Sequence, residues 1–77
     1  MKVEIYGTET CTFCKQAVKL CEANFITYSY VDVSDATEFQ NLAERLGSRP
    51  RTVPQIFLNG NHIPDGYKGL RAELSKV

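Results

Sequence analysis

Alternation opens the chain: Val3 and Ile5 stand between more polar neighbours from Lys2 to Tyr6, and Gly7 follows, which predicts a short first strand. From Thr12 the period changes to that of a helix, with Cys14, Ala17, Val18 and Cys21 on one apolar stripe and Lys15, Gln16, Lys19 and Glu22 on the wet side. Asn24 ends that helix. Thr27 to Val33 has the β-branched and aromatic content of a second strand. Asp35, with Glu38 three residues on, reads as a capping box opening a second helix whose apolar face is Ala36, Phe39, Leu42, Ala43 and Leu46, and which Gly47 terminates. Gln55 to Leu58 and Asn61 to Ile63 read as two short strands joined by an Asn59-Gly60 type I′ turn, and Leu70, Leu74 and Val77 mark a last helix.

The resulting order is β-α-β-α-β-β-α: a parallel βαβ unit, a hairpin and a terminal helix, giving a four-stranded mixed sheet flanked by helices. At 77 residues, with no repeat or linker, the chain is expected to be a single domain over 1–77, so a substrate must bind at its surface. Nine basic residues balance nine acidic ones without a Lys/Arg cluster, which offers no footprint for nucleic acid or an acidic membrane. No stretch approaches the roughly 18–20 apolar residues of a membrane span, and the first residues lack the apolar run of a secretory leader. A soluble cytoplasmic protein is expected, and a monomer by default.

The chemistry sits in Cys11-Thr12-Phe13-Cys14, where the first strand gives way to the first helix. Free backbone N–H groups and the positive end of the helix dipole favour a thiolate there, so a depressed pKa is expected for Cys11. Cys14, one turn in and on the apolar stripe, is expected to be less exposed yet within bonding reach. One sulfur attacks and the other resolves, the division of labour of thiol–disulfide exchange. A Cys-x-x-Cys is also half a zinc site, but only Cys21 and His62 remain as soft ligands, neither in a second paired spacing, so redox chemistry fits better and no metal is expected. Cys21, on the core stripe, reads as a small buried hydrophobe. Glu9 should oppose thiolate formation at Cys11 unless it points away.

Across nearly its whole length the chain resembles the glutaredoxins, of thioredoxin-like fold: Ile5-Tyr6-Gly7, the Cys11–Cys14 motif, Thr52-Val53-Pro54-Gln55-Ile56-Phe57, and the Asn-Gly hairpin into His62-Ile63 carry the likeness. The resemblance implies a cis Val53-Pro54 bond that leaves the Val53 backbone free to hold the cysteinyl part of glutathione beside Cys11. It implies a groove to which Phe13, Thr52, Gly66 and Tyr67 contribute, with Arg49 or Arg51 on the glycine carboxylate. Where the family has Gly-Gly followed by an acid, this chain has Pro64-Asp65-Gly66-Tyr67-Lys68-Gly69. Asp65 is read either as the acid that meets the glutamyl end or as a helix cap. Tyr6 is read either as a groove residue or as sheet packing.

The implied activity is reduction of protein disulfides and glutathione mixed disulfides, with glutathione as reductant, no bound cofactor, and ribonucleotide reductase among the protein partners. The altered Gly-Gly segment motivates an alternative, a redoxin of the same fold reduced by thioredoxin reductase. A third reading, from relatives that bridge iron–sulfur clusters with glutathione, is a cluster carrier.

Overall fold

Each expected element forms, in the expected order, in a computed structural model that describes residues 1–76: β1 (Lys2–Gly7), α1 (Thr12–Ala23), β2 (Thr27–Asp32), α2 (Ala36–Leu46), β3 (Gln55–Leu58), β4 (Asn61–Ile63) and α3 (Gly66–Leu74). The expected share of Val77 in the last helix lies outside the described residues. The sheet order is β2-β1-β3-β4, with β1 parallel to β2 and antiparallel to β3, and β4 antiparallel to β3. This is the mixed four-stranded sheet of the thioredoxin-like fold. Among the described residues no helix is long and apolar enough to cross a membrane.

Period-two alternation in β1 divides the core between the two faces of the sheet. Val3 and Ile5 point to one side, where with Ile56 and Ile63 they pack on Ala17 and Cys21 of α1 and Leu70 of α3. On the opposite face Leu42 of α2 packs with Phe57 and Val33. The small buried residues Cys14, Ala17 and Cys21 keep the sheet-facing side of α1 narrow. The hairpin turns at Asn59 and Gly60, both at positive φ (51° and 85°), as a type I′ turn demands.

The capping box forms by half. Asp35 Oδ1 accepts from the backbone N–H groups of Thr37 (2.8 Å) and Glu38 (3.2 Å), but the Glu38 carboxylate accepts from Asn41 Nδ2 at 3.1 Å instead of reaching back to the Asp35 N–H. An Asn one turn on competes for that carboxylate. Gly47 ends α2 at φ 78°, the left-handed turn expected of it.

One ion pair fastens α2 to the sheet. Arg45 Nη1 and Nη2 donate to Glu4 Oε2 (2.6 Å) and Oε1 (2.9 Å), and the guanidinium carbon lies 3.8 Å from the Phe57 ring centroid. The hydrogen bond from Arg45 holds the Glu4 carboxyl below its ordinary range despite partial burial. Because the folded-state pKa is depressed, the stabilisation is present above the unfolded pKa and is lost as pH falls through the folded one. The melting-temperature gap between the wild type and Glu4→Gln should therefore be positive near about pH 7 and should shrink toward about pH 3 in thermal melts.

Candidate active site

α1 begins at Thr12, and Cys11 before it takes the cap position with an extended backbone, φ −82° and ψ 112°. Its Sγ accepts the Cys14 backbone N–H at 3.1 Å, the bond a serine or aspartate hydroxyl or carboxylate makes at other helix starts. The sulfur thus lies against an unpaired donor and the positive end of the dipole. The first turn of α1 carries no acidic residue to cancel that field. Cys11 and Cys14 are joined as a disulfide, their Cα atoms 5.2 Å apart. Cys14 is fully buried, whereas Cys11 is partly exposed. Only one of the two sulfurs is therefore open to an incoming disulfide. Cys21 is buried without a sulfur partner, and burial, with a smaller push from Glu22, raises its thiol pKa.

Glu9 is exposed, and its charge bears on the Tyr30 phenol. Gly7, at the end of β1, is required by close approach: a Cβ there would collide with Cys14 Sγ and come within 2.7 Å of Tyr30 Oη. The strand can pass behind the dithiol only without a side chain.

At Phe13, which stands between the two cysteines in sequence, opens a groove of about 350 Å³ whose lining includes neither cysteine. Phe13, Thr52, Val53, Pro54, Asp65, Gly66 and Tyr67 line it, together with two residues that the sequence did not single out, Gln55 and Lys68. The Val53-Pro54 bond is cis. Phe13 is half-exposed, and its ring centroid lies 6.0 Å from that of Tyr67. Arg51 does not line this groove. It shares with Arg49 a neighbouring depression that adjoins the groove through Thr52 and Gln55.

Two open readings are decided. Asp65 occupies the cap position of α3, but at φ 69° its side chain makes no capping hydrogen bond, so the cap reading does not hold. Tyr6 packs edge-on against Phe57 on the opposite face of the sheet (5.6 Å, 70°) and is no part of the groove. Gly69, where the resemblance would put an acid, is pressed against the Pro64 carbonyl so that any Cβ would collide with it. An acidic residue has no room at that position.

Gln55 was legible only as the first residue of a strand. Its Nε2 donates to the Thr52 carbonyl at 2.9 Å, and its Oε1 lies 2.8 Å from His62 Nε2. Since Oε1 can only accept, the His62 Nε2 carries the proton. A cross-strand bond from β4 thereby braces the loop that leads into Val53.

A glutaredoxin family model matches residues 3–63. Rice glutaredoxin-C6 is 40% identical over 65 residues, covering 79% of this chain but only 56% of the relative's own length. Glutaredoxin 1 of Escherichia coli is 32% identical over 78 residues, covering 94% of this chain and 91% of that protein. Among solved structures, glutaredoxin 1 from Francisella tularensis superposes with a TM-score of 0.77 at 28% identity, covering 97% of this chain and 93% of that one.

The groove wall depends on one close approach. Gly66 sits at φ 53° with its missing Cβ 2.8 Å from the Pro54 carbonyl oxygen. Gly66→Ala should cost about 1–2 kcal/mol from the left-handed backbone alone, measured by urea denaturation, with more lost if the Pro54 carbonyl cannot yield.

Proposed function

The chain belongs to the glutaredoxin family, and from that premise we propose that it is a thiol–disulfide oxidoreductase reducing protein disulfides and glutathione mixed disulfides, with glutathione as the reductant. The observation that carries the reading is the asymmetry of the two sulfurs: Cys11 Sγ rests on the Cys14 N–H at the start of α1, and Cys14 is buried behind it.

Reduction begins when the Cys11 thiolate attacks one sulfur of the substrate disulfide, forming a mixed disulfide and expelling the other substrate sulfur as a thiolate that takes up a proton. Cys14 then gives up its proton and attacks the Cys11 sulfur. The second substrate thiol leaves, and the Cys11–Cys14 bond holds the two electrons' worth of oxidation. A glutathione thiolate reopens that bond at the accessible Cys11 sulfur, and Cys14 leaves and is protonated. A second glutathione attacks the mixed disulfide, releasing glutathione disulfide and restoring the Cys11 thiolate.

The groove supports this because Phe13, between the two cysteines in sequence, forms part of its wall. Val53 next to the cis Pro54 offers backbone groups to an extended thiol tripeptide, Phe13 and Tyr67 give flat apolar walls, and Asp65, free of capping duty, is available to an ammonium group. Arg51, with Arg49, would meet a carboxylate from the neighbouring depression. Ribonucleotide reductase is proposed among the protein substrates, and the acting unit is a monomer.

The substituted segment Pro64-Asp65 and the crowding at Gly69 favour one second reading, a redoxin of this fold that takes electrons from thioredoxin reductase. Disulfide reduction measured with NADPH, glutathione and glutathione reductase, against NADPH and thioredoxin reductase, separates the two. Turnover is expected in the first system, and activity in the second alone overturns the glutathione assignment. Cys11→Ser should reduce every exchange reaction to background, while Cys14→Ser should accumulate mixed disulfides with protein substrates yet still remove glutathione from them, as mass spectrometry and the coupled assay would read.

A further inference from the structure

Behind the dithiol, on the edge strand β2, stands Tyr30. Its hydroxyl donates to the Thr8 carbonyl at 2.7 Å. The same oxygen accepts the Cys11 backbone N–H, at a longer 3.4 Å. Two donors, one from β2 and one from the attacking cysteine itself, therefore converge on a single carbonyl at the start of the loop between β1 and α1. That loop has no buried residue to pin it, since Thr8 is only partly covered and Glu9 and Thr10 are exposed.

We propose that Tyr30 is a positioning residue for the dithiol: its hydroxyl fixes the Thr8 carbonyl, which in turn holds the Cys11 backbone where its sulfur meets the first N–H groups of α1. The inference rests on the reading of Cys11 as the attacking thiolate.

Three observations support it. The anchoring bond is much the shorter of the two that Thr8 O accepts, so the tyrosine is the firmer of its partners. Tyr30 Oη and Cys14 Sγ both crowd the place where a Gly7 Cβ would project, so the phenol hydroxyl, the strand end and the resolving sulfur lie together while the rest of the tyrosine stays exposed. The phenol stays a donor throughout the range in which a cysteine ionises, because burial first, and then Asp32 and Glu9, push its pKa up. A displacement of the loop would lift Cys11 Sγ from the Cys14 N–H and leave the thiolate with less stabilisation.

Tyr28, two residues earlier in β2, provides the control. Its hydroxyl points to Glu22 Oε2, at 3.4 Å, far along α1 from the dithiol. The experiment measures the pH dependence of iodoacetamide alkylation of Cys11 in the reduced wild type, Tyr30→Phe and Tyr28→Phe, with the labelled cysteine identified by mass and each melting temperature recorded. Tyr30→Phe should raise the apparent Cys11 pKa and slow alkylation near neutral pH by about two- to tenfold, the effect of one lost hydrogen bond, while Tyr28→Phe keeps the wild-type profile. Tyr30→Met, also without a hydroxyl, carries the test if the phenylalanine variant does not fold. A rapid wild type with an unchanged Tyr30→Phe profile, or an equal shift in Tyr28→Phe, overturns the inference alone. A wild-type Cys11 no faster than an ordinary free thiol overturns the underlying reading as well.

Discussion

A helix start leaves backbone N–H groups without partners, and proteins usually answer them with the oxygen of a serine, threonine or aspartate. In this chain a sulfur answers at α1, through the bond from the Cys14 N–H to Cys11 Sγ. The exchange of oxygen for sulfur trades a strong structural cap for a reactive one, since the same donor that a hydroxyl would satisfy stabilises a negative charge on sulfur. α2 makes the ordinary choice, with Asp35 holding two N–H groups. The two helix starts therefore differ: a carboxylate holds two N–H groups at α2 and a sulfur holds one at α1, so stability at the start of α1 is supplied elsewhere.

That supply comes from packing. Cys14, Ala17 and Cys21 are all fully buried on one side of α1, and their small size lets the helix lie close upon Val3, Ile5 and Ile56. Gly7 removes the last obstacle, so the strand end runs directly behind Cys14. Cys14 is thus enclosed by packed elements, while the short turn at 8–10 that leads into Cys11 contains no buried residue. The Glu4–Arg45 ion pair lies on the opposite face of the sheet, where the two satisfy one another over Phe57. At Cys11 Sγ the observed partner is the Cys14 backbone N–H, with the exposed Glu9 two residues before it in the loop.

Element order, the turn at Asn59-Gly60 and the Asp35 cap were legible because each rests on local chemistry: period, positive-φ tolerance and the reach of a short side chain. The Cys11–Cys14 pair was legible for the same reason. What the sequence left unsettled was decided by side-chain and backbone neighbours, some near in sequence and some far. Asp65 reads locally as a cap, but Gly66 pressed against the Pro54 carbonyl goes with a left-handed backbone at Asp65 and no cap bond from its carboxylate. Glu38 reads as the return arm of a capping box until Asn41 takes its carboxylate. Arg51 adjoins the Thr52-Val53-Pro54 loop in sequence, and it lines the depression next to the groove. Gln55, Lys68 and Tyr30 carried no signal beyond their places in a strand or helix.

The same distinction explains why this groove departs from the pattern its sequence resembles without losing its shape. An acid cannot stand at position 69, because the Pro64 carbonyl fills the space a Cβ needs. Pro64 and Gly69 are thus a matched pair: the carbonyl of one occupies the space that a side chain on the other would need. The acid that does line the groove, Asp65, lies one residue after the proline, at the turn where the left-handed backbone frees its carboxylate from the helix start. The Pro64–Gly69 contact therefore couples those two positions, and Asp65, exposed beside it, is left to face the groove.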